Sequence, residues 1–348
     1  MYETGEYDIQ LDIPTDNYVV HDLYPSHLEL ISNYVRQIPV YNKDTLIILL
    51  GAFQCIQERN FWVQPLNDFC KSVSTPVLVF TGKLTEDSAY CLPDVKFGYK
   101  RISMFELVSN LHWNRIIENQ QRNWIDDCNK IRHRKFYWAS SKDWYTRRYI
   151  LAGLIGNKLL ENNLVNYKCV HTDIPSGWIQ HHIESTWAAH IDQECHLINN
   201  LLPLPALDDT VEFSQTDVNF YLDSYLGIIT DTFFNNGVFL SEKIFNAINY
   251  QQLFFYIGYQ GTLKYLREQG YHVFDDIIDT SYDTIQESGA RLVAARRSLI
   301  DFLNQPLETI RQAYEKSVSA IKHNKQLLQQ QKPDLQFTQH IREFLNEN

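Results

Sequence analysis

The stretch Tyr225–Ile285, YLGIITDTFFNNGVFLSEKIFNAINYQQLFFYIGYQGTLKYLREQGYHVFDDIIDTSYDTI, decides the fold. A short apolar run, Leu226–Ile229, leads into the polar loop Thr230-Asp231-Thr232. The triplet Ser241-Glu242-Lys243 then opens a helical pattern. A second apolar run, Leu253–Ile257, ends at Gly258, and a further helix is expected over Gly261–Gln269. Short apolar runs bounded by turn residues are the mark of buried parallel strands. This β-loop-α-β-α order puts its polar residues where strands end and helices begin. Ligands of open α/β sheets bind at that edge, and helix N-termini there offer N–H groups to phosphate.

The same signal recurs upstream. Thr45–Leu50 (TLIILL), ending at Gly51, and Pro76–Phe80 (PVLVF), ending at Thr81-Gly82, read as buried parallel strands. Between them 58–74 can hold a helix, and a helical pattern is also expected over His27–Ile38. Residues 102–130 hold two helical stretches around Trp113 and Trp124, and Lys135–Ala139 is a strand. A helix is expected over Thr146–Leu160, a strand over Leu164–Val170, and a helix over Ile183–Leu201 with Trp187, Ile191 and Ile198 on its apolar side. Residues 285–330 read as amphipathic helix with a stripe of Leu292, Ala295, Leu299, Phe302 and Leu303. The expectation is an α/β protein of two Rossmann-like domains facing a cleft. The domains would be 1–134 and 135–305, followed by a helical tail 306–348.

A chain of 348 residues is longer than one typical domain. No run of about 18 apolar residues is present, so no membrane span is expected. The N-terminal MYETGEYDIQLDIP lacks the basic and apolar regions of a signal peptide, which favours a cytoplasmic location. A net charge of −11 disfavours broad binding to nucleic acid or anionic membrane. A local basic stretch stands against that trend: Lys130, Arg132, Arg134, Lys135, Lys142, Arg147 and Arg148. The six cysteines, Cys55, Cys70, Cys91, Cys128, Cys169 and Cys195, form no CxxC pair and read as reduced, mostly buried thiols.

Several strings resemble the donor-binding half of GT-B glycosyltransferases. The likeness is nearest to fucosyltransferase-like enzymes and the related sugar transferases assigned to large phages and viruses. It is carried by Phe239-Leu240-Ser241-Glu242-Lys243-Ile244-Phe245, Leu263-Lys264-Tyr265-Leu266-Arg267, Gly270-Tyr271, Phe274-Asp275 and Asp279–Asp283. It covers about sixty residues of the chain, plus a weaker region upstream. There the family's arginine string N-R-R-x-R-x-H-R survives only in part, with Arg147 or Arg148 matching its last arginine. The resemblance implies transfer of a sugar from a nucleotide-diphosphate sugar to a glycan or other hydroxyl acceptor, with no further cofactor. Protein cations, and no essential metal, would serve the leaving diphosphate.

Residue chemistry agrees with that implication. A carboxylate suits a ribose diol, and cations suit a diphosphate. By resemblance Glu242 would hold the ribose and Lys243 the phosphates; read alone, both are ordinary first-turn residues behind an N-cap Ser241. Arginine in a first turn opposes the helix dipole, so Arg147 and Arg148 call for a phosphate partner or a solvated surface. Lys142 is a further, weaker candidate for phosphate contact. Asp231 ends a strand and either contacts the sugar or caps its own loop. Gly258 either lets the backbone approach a ligand or makes a plain turn. Asp275, Asp276, Asp279 and Asp283 match no calcium loop. His182, His190 and His196 lack the spacing that places metal ligands on one helical face. For the general base that an inverting transfer needs, Glu58 is the candidate and Glu106 the other carboxylate considered. Two alternatives stay open. One is glycosylation of a hydroxymethylated base in viral DNA, served by the basic stretch. The other is a degenerate transferase fold with a structural or binding role.

Overall fold

The computed structural model describes residues 18–23, 45–50, 77–81, 128–140, 144–167, 185–202, 204, 218–231, 234 and 242–330. The chain divides into two compact units. One comprises Met1–Arg122, Gly237–Ser241 and Lys332–Asn348, the other Asn123–Asn236 and Glu242–Gln331.

In the first unit three parallel strands stand in the order β1-β2-β3: Tyr18–Leu23, Thr45–Leu50 and Val77–Thr81. Tyr18 lies opposite Thr45, and Leu46 opposite Val77. The strand TLIILL coincides with its sequence reading. β1 was not read from the sequence, because His21 and Asp22 interrupt its apolar pattern. The expected helices His27–Ile38 and 58–74, and those around Trp113 and Trp124, lie outside the described residues, as do Glu58 and Glu106.

The second unit is built on four parallel strands: β4 Arg134–Ser140, β5 Leu164–Tyr167, β6 Ser224–Thr230 and β7 Leu253–Ile257. Their spatial order is β5-β4-β6-β7. Every residue of β6 and β7 is buried, as expected of strands covered on both faces. Each large side chain so placed stabilises by about 1.5–3 kcal/mol. Parallel neighbours require crossovers. These are supplied by α1 (Tyr145–Gly156), α2 (Ala188–Leu197), α3 (Val218–Leu222) and α4 (Glu242–Asn249), while α5 (Thr262–Glu268), α6 (Ser288–Leu303), α7 (Leu307–Lys316) and α8 (Val318–Gln330) follow the last strand.

Several element limits differ from the sequence reading. α1 stops at Gly156, after which Lys158 and Asn162 take positive φ values of 56° and 61° and turn the chain into β5. α2 starts only at Ala188. Ile191 and Ile198 are buried, but Trp187 precedes the helix and is 39% exposed, so it is no part of the apolar side. Residues 285–330 are three helices. Pro306, at φ −55°, has no N–H to extend α6 and instead starts α7. The stripe Leu292, Ala295, Leu299, Phe302 and Leu303 is buried, as its spacing predicts.

Arg132 fastens the edge where the strands begin. It is 1% exposed, and its guanidinium donates to the carbonyls of Tyr221, Ser224 and Gln251 at 2.6, 2.7 and 3.1 Å and to the Tyr314 hydroxyl at 3.0 Å. It therefore joins α3, β6, the turn before β7 and α7.

Candidate functional site

The chain passes from β4 to β5 on one side, then returns to place β6 on the other. The order reverses between β4 and β6, and that reversal marks the ligand position in open α/β sheets, at the carboxyl ends of the strands. At this point Arg147, in the first turn of α1, extends its guanidinium to the last residue of β6. Nη2 donates to the Thr230 carbonyl at 3.1 Å. The indole N–H of Trp138, from β4, donates to the Thr230 hydroxyl at 3.0 Å. The two central strands are thus tied together at their carboxyl ends.

Arg147 and Arg148 were read as exposed or phosphate-facing; both are buried. Arg148 donates from Nη1 to Asn199 Oδ1 at 2.7 Å, joining α1 to the short 3-10 turn Asn199–Leu201. The neighbouring basic residues Arg134 and Lys135 are half-buried and also partnered. Lys135 reaches the Leu303 carbonyl at 2.8 Å, its ammonium pKa lowered by burial, and Arg134 pairs with Asp223 at 3.6 Å. Arg132, Lys135, Arg147 and Arg148 thus each bond to backbone or side-chain oxygens of the protein. Lys142 lies outside the described residues.

Asp231 follows Thr230 directly. Its N–H donates to the Ile257 carbonyl, continuing the pairing with β7. Its Oδ2 accepts from the Tyr256 hydroxyl at 2.5 Å. Both side chains are 1% exposed. Burial pushes the Tyr256 phenol well above its ordinary value, and the Asp231 charge and hydrogen bond push it the same way. Gly258 makes this contact sterically available, since a Cβ there would lie 2.3 Å from the Tyr256 hydroxyl. The glycine thus leaves room for the Tyr256 side chain of the preceding strand.

The turn from β7 into α5 passes through Gly261, at φ 80°. There the free N–H groups expected for a phosphate are taken by the protein itself. The Asp283 carboxylate accepts from Gly261 N and Lys264 N, each at 3.1 Å. Burial raises the Asp283 pKa, against the pull of those two N–H groups and of Arg267 and Arg291. Nearby carboxylates are likewise engaged one by one: Asp275 with Arg267 at 3.0 Å, Asp279 with the Ser281 N–H at 2.9 Å. Among the described residues no group of three or more His, Cys, Asp or Glu side chains is placed to hold a metal. His190 meets the Tyr149 hydroxyl at 3.1 Å, and His196 donates from Nδ1 to the Asp192 carbonyl at 2.7 Å. Cys128 and Cys195 are buried and form no disulfide.

α4 begins at Glu242, so the connectivity sets Glu242 and Lys243 where the chain returns from the carboxyl end of β6. Its apolar face, Ile244, Phe245, Ala247 and Ile248, is buried, and Lys243 is half-buried. Ser241 lies outside the described residues.

Sequence reasoning missed Tyr256 and Arg291, and weighed Asp283 only as a metal ligand. Arg291, in the first turn of α6, is 1% exposed. Its Nη1 donates to the carbonyls of Ile285 at 2.7 Å and Gln286 at 3.1 Å, and its Nη2 to the carbonyl of Phe234. The guanidinium also stacks on the Phe234 ring, 4.6 Å from its centre. An arginine in a first helical turn was the available signal, as it was for Arg147 and Arg148.

No family model and no curated protein matches the chain. Among solved structures it is similar to a UDP-forming α,α-trehalose-phosphate synthase from Burkholderia vietnamiensis, at 13% identity over 91% of this chain and 78% of that one, with a TM-score of 0.43. It is also similar to MurG of Acinetobacter baumannii, at 11% identity over 87% and 77% of the two chains (TM-score 0.33), and to a glycosyltransferase from Rickettsia africae ESF-5, at 11% over 87% and 81% (TM-score 0.32). Likeness at this level establishes neither a family nor an activity.

Proposed function

We propose that this protein is a glycosyltransferase of the GT-B kind that moves a sugar from a nucleotide-diphosphate sugar to an acceptor hydroxyl without a metal. The observation that carries the reading is the switch point between β4 and β6, with Arg147 bonded across it. The sequence resemblance over Phe239–Asp283 supports it independently. The donor diphosphate would lie at that edge, near the guanidinium of Arg147 and the ammonium of Lys243, with the ribose diol on Glu242. Such cations act on the transition state, because negative charge grows on the diphosphate as the glycosidic bond breaks. A carboxylate then removes the acceptor proton, and Glu58 is the candidate.

The test is release of nucleoside diphosphate from UDP-, GDP-, CMP- and dTDP-linked sugars (nucleoside monophosphate for CMP), with and without simple glycan acceptors. Release by the parent, and its loss in Lys243→Ala, is expected. Release undiminished in both Lys243→Ala and Glu242→Ala would move the donor site elsewhere. Absence of release from every donor would favour the non-enzymatic alternative.

A further inference from the structure

Arg291 is a buried cation whose contacts are all with neutral groups. Its partners are three backbone carbonyls and one aromatic face, and its Nε–H meets no acceptor among the described residues. The two carboxylates that act on it through space are committed to backbone N–H groups, Asp283 at the start of α5 and Glu287 at the start of α6. Burying a guanidinium without a carboxylate in contact is costly, so its place in the fold needs a reason. Pinning loops is one, and Arg132 does that at the opposite edge of the sheet. Arg291, however, lies at the edge where ligands of such sheets bind. It also grips one end of the segment that follows β6: Arg147 holds the Thr230 carbonyl, and Arg291 holds that of Phe234.

We propose that Arg291 is a positioning residue for an anionic ligand, the diphosphate of the donor. It fixes the far end of the 230–234 segment and supplies positive potential at the adjoining edge, where Asp231 is held by the Tyr256 hydroxyl. This rests on the donor-site reading above. Removing the guanidinium therefore weakens diphosphate binding beyond any loss of stability. Lowering of the Arg291 pKa to about 10 by burial accords with a charge that gains from a nearby anion.

The test is thermal unfolding with and without pyrophosphate at constant ionic strength, for the parent, Arg291→Lys, Arg291→Met and Arg132→Lys. Pyrophosphate is expected to raise the melting temperature of the parent and of Arg132→Lys at similar concentrations. Arg291→Lys keeps the charge but loses the planar fork, and needs about tenfold more pyrophosphate. Arg291→Met gives no rise. If Arg291→Met does not fold, Arg291→Lys alone carries the comparison. The inference is overturned if pyrophosphate leaves the parent unchanged, if the Arg291 variants respond as the parent does, or if Arg132→Lys is impaired to the same degree. A pyrophosphate response with none to any nucleoside diphosphate would uphold the anion site and remove the nucleotide-donor reading.

Discussion

The Tyr256 hydroxyl donates to Asp231 Oδ2 at 2.5 Å, through space that any side chain at position 258 would fill. The two residues come from β7 and the end of β6, so the contact locks the carboxyl ends of neighbouring strands. Gly258→Ala places a methyl 2.3 Å from that hydroxyl. The tyrosine must move and the hydrogen bond is lost, at a cost of about 1–3 kcal/mol. Chemical denaturation of the variant checks this. Tyr256→Phe should cost a similar amount, and the double variant clearly less than the sum, because both changes remove one contact.

Asp283 acts as a cap delivered from outside its helix. Asp283→Ala frees the N–H groups of Gly261 and Lys264, with an expected loss of about 0.5–2 kcal/mol. Amide exchange should accelerate at those two positions first. Unchanged exchange there would mean that the carboxylate does not hold the turn.

Raised phenols set the alkaline limit. Burial pushes Tyr149 up to about 12, with Arg296 opposing, and pushes Tyr256 and Tyr282 well above their ordinary value. An acid whose pKa is higher folded than unfolded stabilises fully below the unfolded value, about 10 for tyrosine, and loses that contribution as pH rises through the folded value. Stability should therefore decline above about pH 10. Phenolate absorbance of the buried tyrosines should appear together with the loss of helical circular dichroism. Their titration in a still-folded protein would contradict the burial assigned here.

With Glu242 on the ribose as proposed, Glu242→Ala should weaken donor binding by about 1–3 kcal/mol. Lys243→Ala should lower both affinity and turnover. Calorimetric titration with the preferred nucleoside diphosphate measures the first effect and initial rates the second.

The sheet was legible because parallel strands buried on both faces are nearly pure apolar runs. TLIILL and LFFYI were located to the residue, and of the strand SYLGIIT the central LGII. β1 escaped because two polar residues interrupt it. The long C-terminal helix was overcalled because its apolar period continues past Pro306. The candidate site was legible only in its one-dimensional part. Strand ends and helix starts fall where the string predicts, but the destination of a long side chain is a tertiary property. Arg147 and Arg148 stand out in the sequence as cations at the wrong end of a helix, and their described partners are a carbonyl and an amide oxygen of the protein. Arg291 carried the same first-turn signal, whereas Tyr256 and Asp283 gave none, since their partners lie 25 and 19 residues away.

The most direct test of a nucleotide-sugar site on the second unit is a thermal-unfolding panel with UDP, GDP, CMP and dTDP. A nucleotide at about 100 times its dissociation constant adds roughly 2.7 kcal/mol to the folded state. A clear rise in melting temperature with one nucleotide, reduced in Lys243→Ala, is the predicted result. No rise with any of the four would contradict it.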